Sequence, residues 1–97
     1  MPPPSNTDHG SSRLSAVGNE AIAEIRRIVR EDLEIPVPVG PDSHLVRDLQ
    51  LDSLGLLTVA VGLENRFKIQ LREEDALGLR TAGDLARLVQ LRVEASR

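Results

Sequence analysis

The sequence predicts an all-α fold, a four-helix bundle of three substantial helices and one short one, with a long first connection. Three observations predict it. Apolar residues recur at three- and four-residue steps in three separate segments, the mark of amphipathic helices. No segment alternates apolar and polar residues as a half-buried strand would. The core material is almost wholly aliphatic, since Phe67 is the only aromatic residue and Trp, Tyr and Cys are absent.

The first helix is expected from about Leu14 to Leu33. Leu14, Val17, Ala21, Ile22, Ile25, Ile28, Val29 and Leu33 form one stripe, while Glu20, Glu24, Arg26, Arg27, Arg30 and Glu31 fall largely off it. Ser15 or Asn19 can cap its start, because a short polar side chain accepts from the unpaired N–H groups there. Pro36 ends it, since the residue before a proline avoids helical dihedrals. Pro36, Pro38 and Pro41 then stiffen a loop in which Leu45 and Leu49, four apart, are spaced to anchor it on the core.

A second helix is expected from Ser53 to about Phe67, followed by Lys68-Ile69-Gln70-Leu71, a link with two apolar anchors. Residues 73–77 allow one or two turns before Gly78 breaks them. Thr81 with Asp84 three residues on reads as a variant capping box, Asp standing where Glu is usual. The last helix then turns Ala82, Leu85, Leu88 and Val89 inward, with Leu91 and Val93 continuing that face. Residues 1–13, rich in Pro, Ser, Asn and Gly, cannot offset their own ordering entropy and are expected to form a disordered tail, leaving 14–93 as the domain.

Composition narrows the function. A chain of 97 residues makes one domain with little interior to spare for a deep cleft. Without Cys it forms neither a disulfide nor a thiolate zinc site, and His9 and His44 lack partners at ligand spacing. A net charge of −3 argues against nucleic acid and favours basic partners. The N-terminus lacks the basic start and apolar run of a secretory signal, and no stretch reaches the roughly 20 apolar residues of a membrane span. A soluble, cytoplasmic, monomeric protein is expected.

The segment Asp48-Leu49-Gln50-Leu51-Asp52-Ser53-Leu54 is distinctive. It resembles the acyl carrier protein family, whose hallmark is Asp-Ser-Leu opening the second of four helices after a long loop. The resemblance covers about residues 14–92, including the Asp-Leu approach, Phe67 and the Thr81 start of the last helix. It implies that the Ser53 hydroxyl receives 4′-phosphopantetheine from coenzyme A through a phosphopantetheinyl transferase. It further implies that Asp52 helps the transferase position a metal ion, and that acyl groups then ride the arm to condensing enzymes of the ketosynthase kind. The chain itself catalyses nothing in this reading. Its lack of Cys leaves the arm as the sole thiol.

On helix two, at about 100° per residue, Leu54, Leu57 and Val61 share one side, next to an arc of Leu56, Val59, Ala60, Leu63 and Phe67. The larger arc is expected inside with Leu57 at its margin, leaving Leu54 and Val61 to dock partners. Fatty-acid carriers usually display carboxylates along this helix; the matching positions here hold Gly55, Thr58, Glu64 and Asn65. Thr58 and Glu64 are accordingly candidate partner contacts, and Gly55 and Gly62 are expected on the outer face. From Ser53 to Leu79 four carboxylates stand against three bases. So neutral a face points to a specialised, polyketide-like pathway rather than housekeeping fatty-acid synthesis.

Two alternatives remain at this level. An aminoacyl or peptidyl carrier commonly has a glycine pair before the serine, where this chain reads Leu49-Gln50-Leu51-Asp52. A helical interaction module would carry no cofactor. An enzyme is disfavoured because Ser53 has no nearby base, His44 lying nine residues upstream in loop.

Overall fold

The computed structural model describes residues 14–76 and 78–96, without the side chains of Glu73 and Ala76. The expected tail, 1–13, and Leu77 lie outside the described residues. Four helices follow in order: α1, Ala16–Arg27, continued by a π-turn at Ile28–Asp32; α2, Ser53–Phe67; a single turn α3, Glu73–Ala76; and α4, Ala82–Ala95. Among the described residues no strand forms, and one isolated bridge pairs His44 with Thr81.

Ser15 is the N-cap of α1, its side chain accepting from Gly18 N, while Ser15 N donates to Gln90 Oε1 at 2.9 Å. The expected first helix is therefore present but does not stay α-helical. In the π-turn Leu33 N reaches Ile28 O at 3.0 Å, and beyond it Ile35 N reaches Val29 O at 2.9 Å. A wider turn shifts the side-chain phase, and the adjacent Ile28 and Val29 are both fully buried.

Helices α1 and α4 make the most extensive pairing in the bundle, with α2 across them. The two approach closely where Gly18 meets α4, since a Cβ there would lie 2.7 Å from Gln90 Oε1. The core joins Ile25, Ile28 and Val29 from the first segment to Val59 and Leu63 of α2 and Leu85 and Val89 of α4. Leu45, Leu49 and Leu51 pin the long loop onto it. Arg26 adds a second tether through Nη2, which donates to Val39 O at 3.1 Å.

The loop also closes the start of α4. Ala82 N donates to Ser43 O and Gly83 N to Pro41 O, each at 2.8 Å, and the capping box of Thr81 and Asp84 is complete. On α4 one expectation fails: Leu91 is 56% exposed, while Val93 is half-buried against the core. Positions 82, 85, 86 and 89 already fill the face toward α1, and 91 falls about 200° from 89 around the axis. α2 ends at Lys68 in the left-handed conformation, φ 59°, and Ile69 follows it into the core. The one turn of α3 is tied to α4 by an ion pair between Arg92 Nη2 and Asp75 Oδ2, 2.6 Å.

Candidate functional site

The approach to α2 is built by a small polar network and two buried leucines. His44 N donates to Asp48 Oδ2 at 2.8 Å, and His44 Nδ1 accepts from Arg47 N at 3.0 Å, closing a turn over 44–48. Leu49 and Leu51 are buried on either side of Gln50, whose backbone is left-handed at φ 56°. Leu51 N donates to Leu45 O at 3.1 Å, so the chain enters α2 from a held position.

Asp52 is the N-cap. Its backbone is extended and Oδ1 accepts from Gly55 N at 2.8 Å. Gly55 is buried here rather than on the outer face: a Cβ would sit 3.3 Å from both Asp52 Oδ1 and Leu51 Cδ2. Ser53 is the first helical residue and is exposed. Neither its hydroxyl nor the N–H groups of Ser53 and Leu54 have a hydrogen-bond partner among the described residues. Asp52 thus caps the helix and leaves Ser53 free.

These features fit a phosphate ester on Ser53. The exposed hydroxyl offers the bond, and two open N–H groups at the positive end of the helix dipole favour an anion beside it. The dipole contributes about 0.3–1 kcal/mol at such an exposed position. From Ser53 through Leu63 no side chain is charged.

The other candidate residues are placed as follows. Leu54, Leu57 and Val61 are 69%, 58% and 43% exposed, a continuous apolar ridge running from Ser53. Leu57 belongs to it as fully as its neighbours. Thr58 Oγ1 donates within the helix to Leu54 O at 2.8 Å. Glu64 Oε2 accepts from Leu71 N at 2.8 Å, tying the link after α2 to the helix.

Gly62 does not face outward; a Cβ would stand 2.5 Å from Ile28 Cδ1. A groove of about 640 Å³ opens beside it, between α2 and the first helical segment, with Leu57, Val61 and Gly62 facing Glu24, Arg27 and Asp32. The groove was not legible in the sequence, because it depends on how closely two distant segments approach. Only the shared side of Leu54, Leu57 and Val61 hinted at it.

An exposed alcohol at an open helix start, presented by a pinned loop on a small helical bundle, is the layout of a carrier-type protein. The comparisons agree. The phosphopantetheine attachment site family matches residues 23–89. The meromycolate extension acyl carrier protein of Mycolicibacterium smegmatis is 36% identical over 78 residues, covering 79% of each chain. The acyl carrier protein of Rhodococcus erythropolis is 40% identical over 72 residues, 73% of this chain and 79% of that one. Acyl carrier protein MbtL of Mycolicibacterium paratuberculosis is 41% identical over 68 residues, 69% of this chain and 76% of that one. In fold, the acyl carrier protein of Thermotoga maritima superposes with a TM-score of 0.74 at 19% identity, over 84% of this chain and 96% of that one.

The chain belongs to the acyl carrier protein family. It carries acyl groups as thioesters on a covalently attached phosphopantetheine, and carriers of this family are in general non-catalytic. Among the described residues no helix is long and apolar enough to cross a membrane.

Proposed function

We propose that Ser53 is the attachment point, and that the chain serves as a discrete, monomeric, cytoplasmic carrier with no catalytic activity of its own. The observation that carries this reading is the open start of α2, where the Ser53 hydroxyl and two backbone N–H groups have no partner among the described residues while Asp52 caps the helix. The arm supplies the thiol. Ser53 holds its phosphate at the bundle surface, and Asp52 presents a carboxylate beside it through which a phosphopantetheinyl transferase positions its metal ion. Leu54, Val61 and Thr58 then meet the transferase and ketosynthase-like condensing enzymes, with Oε1 of Glu64 left for a partner.

A specialised pathway is the reading for the cargo. It rests on the uncharged outer face of α2 and on relatives named for meromycolate extension and as MbtL. Because the relatives are named acyl carriers, the acyl role is preferred to an aminoacyl one.

The test is intact mass spectrometry after incubation with coenzyme A and a broad-specificity transferase. Wild type gains one phosphopantetheine and Ser53→Ala gains none. An unmodified wild type, or equal modification of the variant, would overturn the assignment.

A further inference from the structure

We propose that enzymes acting on the arm grip this carrier by apolar contact, seating uncharged apolar side chains on the ridge Leu54–Leu57–Val61 and in the groove beside Gly62, rather than by a basic patch. The inference rests on Ser53 as the attachment point. Any enzyme that reaches Ser53, or the sulfur carried on it, approaches the end of α2 where the ridge begins.

Charge decides the kind of partner. The eleven residues Ser53–Leu63 carry no ionisable carboxylate or base. The first carboxylate after them, Glu64, lies about 16 Å along the helix from Ser53 and is tied to Leu71 N through Oε2. Across the groove, Arg27 Nη2 stands 2.8 Å from Glu24 Oε2 and 3.8 Å from Asp32 Oδ2. Arg66, at the groove's far end, stands 3.9 Å from Glu20 Oε1. Each of these wall carboxylates stands within 3.9 Å of an arginine of the chain, with Glu24, Glu31 and Asp32 sharing Arg27. Next to the uncharged stretch of α2 the carboxylate at hand is Asp52, whose Oδ1 is held by Gly55 N.

Apolar burial is what remains to drive docking. Three large aliphatic side chains about half exposed or more, contiguous on one helix face, make a patch of the kind that marks an interaction surface. Gly62 lines the groove next to them, and its missing side chain lets the buried Ile28 pack directly against α2 there. A partner side chain laid between Leu57 and Val61 would cover both. Electrostatic docking is weakened by salt, whereas apolar docking is not.

The experiment measures kcat/KM for the apo carrier with a broad-specificity phosphopantetheinyl transferase at saturating coenzyme A. Between about 0.05 and 0.5 M NaCl the value is expected to change less than about twofold. Leu57→Glu should lower it about tenfold, as expected for losing the burial of one leucine. Leu91→Glu, on α4 and equally exposed, should stay within about twofold of wild type. Thermal melts by circular dichroism check that both variants fold, and the salt series on wild type stands without them.

A fall of tenfold or more with salt overturns the proposal, as does an unaffected Leu57→Glu. So does a ridge covered by a second copy, seen as a wild-type dimer that Leu57→Glu converts to monomer without slowing loading. Absence of any adduct on wild type is a different result, and removes the Ser53 assignment itself.

Discussion

Helices α2 and α4 begin in opposite ways. The start of α4 is sealed: Thr81 N donates to Asp84 Oδ2, Ala82 N to Ser43 O, Gly83 N to Pro41 O, and Asp84 N to Thr81 Oγ1, all within 2.8–3.1 Å. The start of α2 has one cap bond, from Gly55 N to Asp52, and leaves Ser53 N and Leu54 N open among the described residues. Every helix start leaves donors that need partners. At α4 the long loop supplies them and gains its own anchorage; at α2 they face solvent, where an anion can use them. The sealed end secures the fold and the open end presents Ser53, the proposed attachment point.

Breaking the sealed end should cost most. In Gly83→Ala the new Cβ would fall 2.7 Å from Pro41 O, a backbone atom with little freedom to move. A loss of about 1–3 kcal/mol is expected from such overpacking, read as a lower urea midpoint with an unchanged slope. Phosphopantetheine loading of the folded protein should persist, because the open end is untouched.

The open end can be divided into its two roles. Asp52→Ala should destabilise by about 1 kcal/mol through loss of the cap. Asp52→Asn keeps an equally good cap, so its urea midpoint should match wild type while its loading rate falls. Equal loading by Asp52→Asn and wild type would show that capping is the residue's whole contribution.

Acid should loosen the sealed end as well. Burial pushes the Asp84 carboxyl up, but the N–H groups of Arg80 and Thr81, the Thr81 side chain and Arg87 outweigh it, so Asp84 titrates below its ordinary value. Asp75 is likewise lowered, first by the Arg72 N–H and then by Arg92, against a contrary effect of burial. A carboxylate lowered on folding contributes stability above its unfolded pKa and loses it as pH falls through the folded one. Stability should therefore decline below about pH 4, and Asp84→Asn should flatten that decline in urea titrations at stepped pH.

The smallest effect lies at Gln50. A non-glycine residue at φ 56° carries a local strain that glycine would relieve. Gln50→Gly should gain about 0.5 kcal/mol, the relief being partly offset by the freedom glycine loses on folding. A small rise in melting temperature with unchanged loading would confirm that the turn, not the Gln50 side chain, matters for presenting Ser53.

Much of this was legible beforehand where the signal is local. Helix periodicity, the Asp52-Ser53 start, the Thr81–Asp84 box and the Leu45–Leu49 anchors each act over a few residues, and each is found in the structure. The π-turn was not legible, since a helix written as one apolar stripe gives no sign of a change in phase. Nor were the packing of Gly62 on Ile28, the tie from Leu71 N to Glu64 or the outward turn of Leu91.

By itself, then, the sequence determined that helices form, where two of them start and which serine stands at a helix start. Tertiary structure decided which of those starts stays open and which side of α2 is left as ridge and groove. The reason is distance along the chain. A cap bond spans three residues, whereas the bond from Gly83 to Pro41 spans 42 and exists only once the loop has folded across α4.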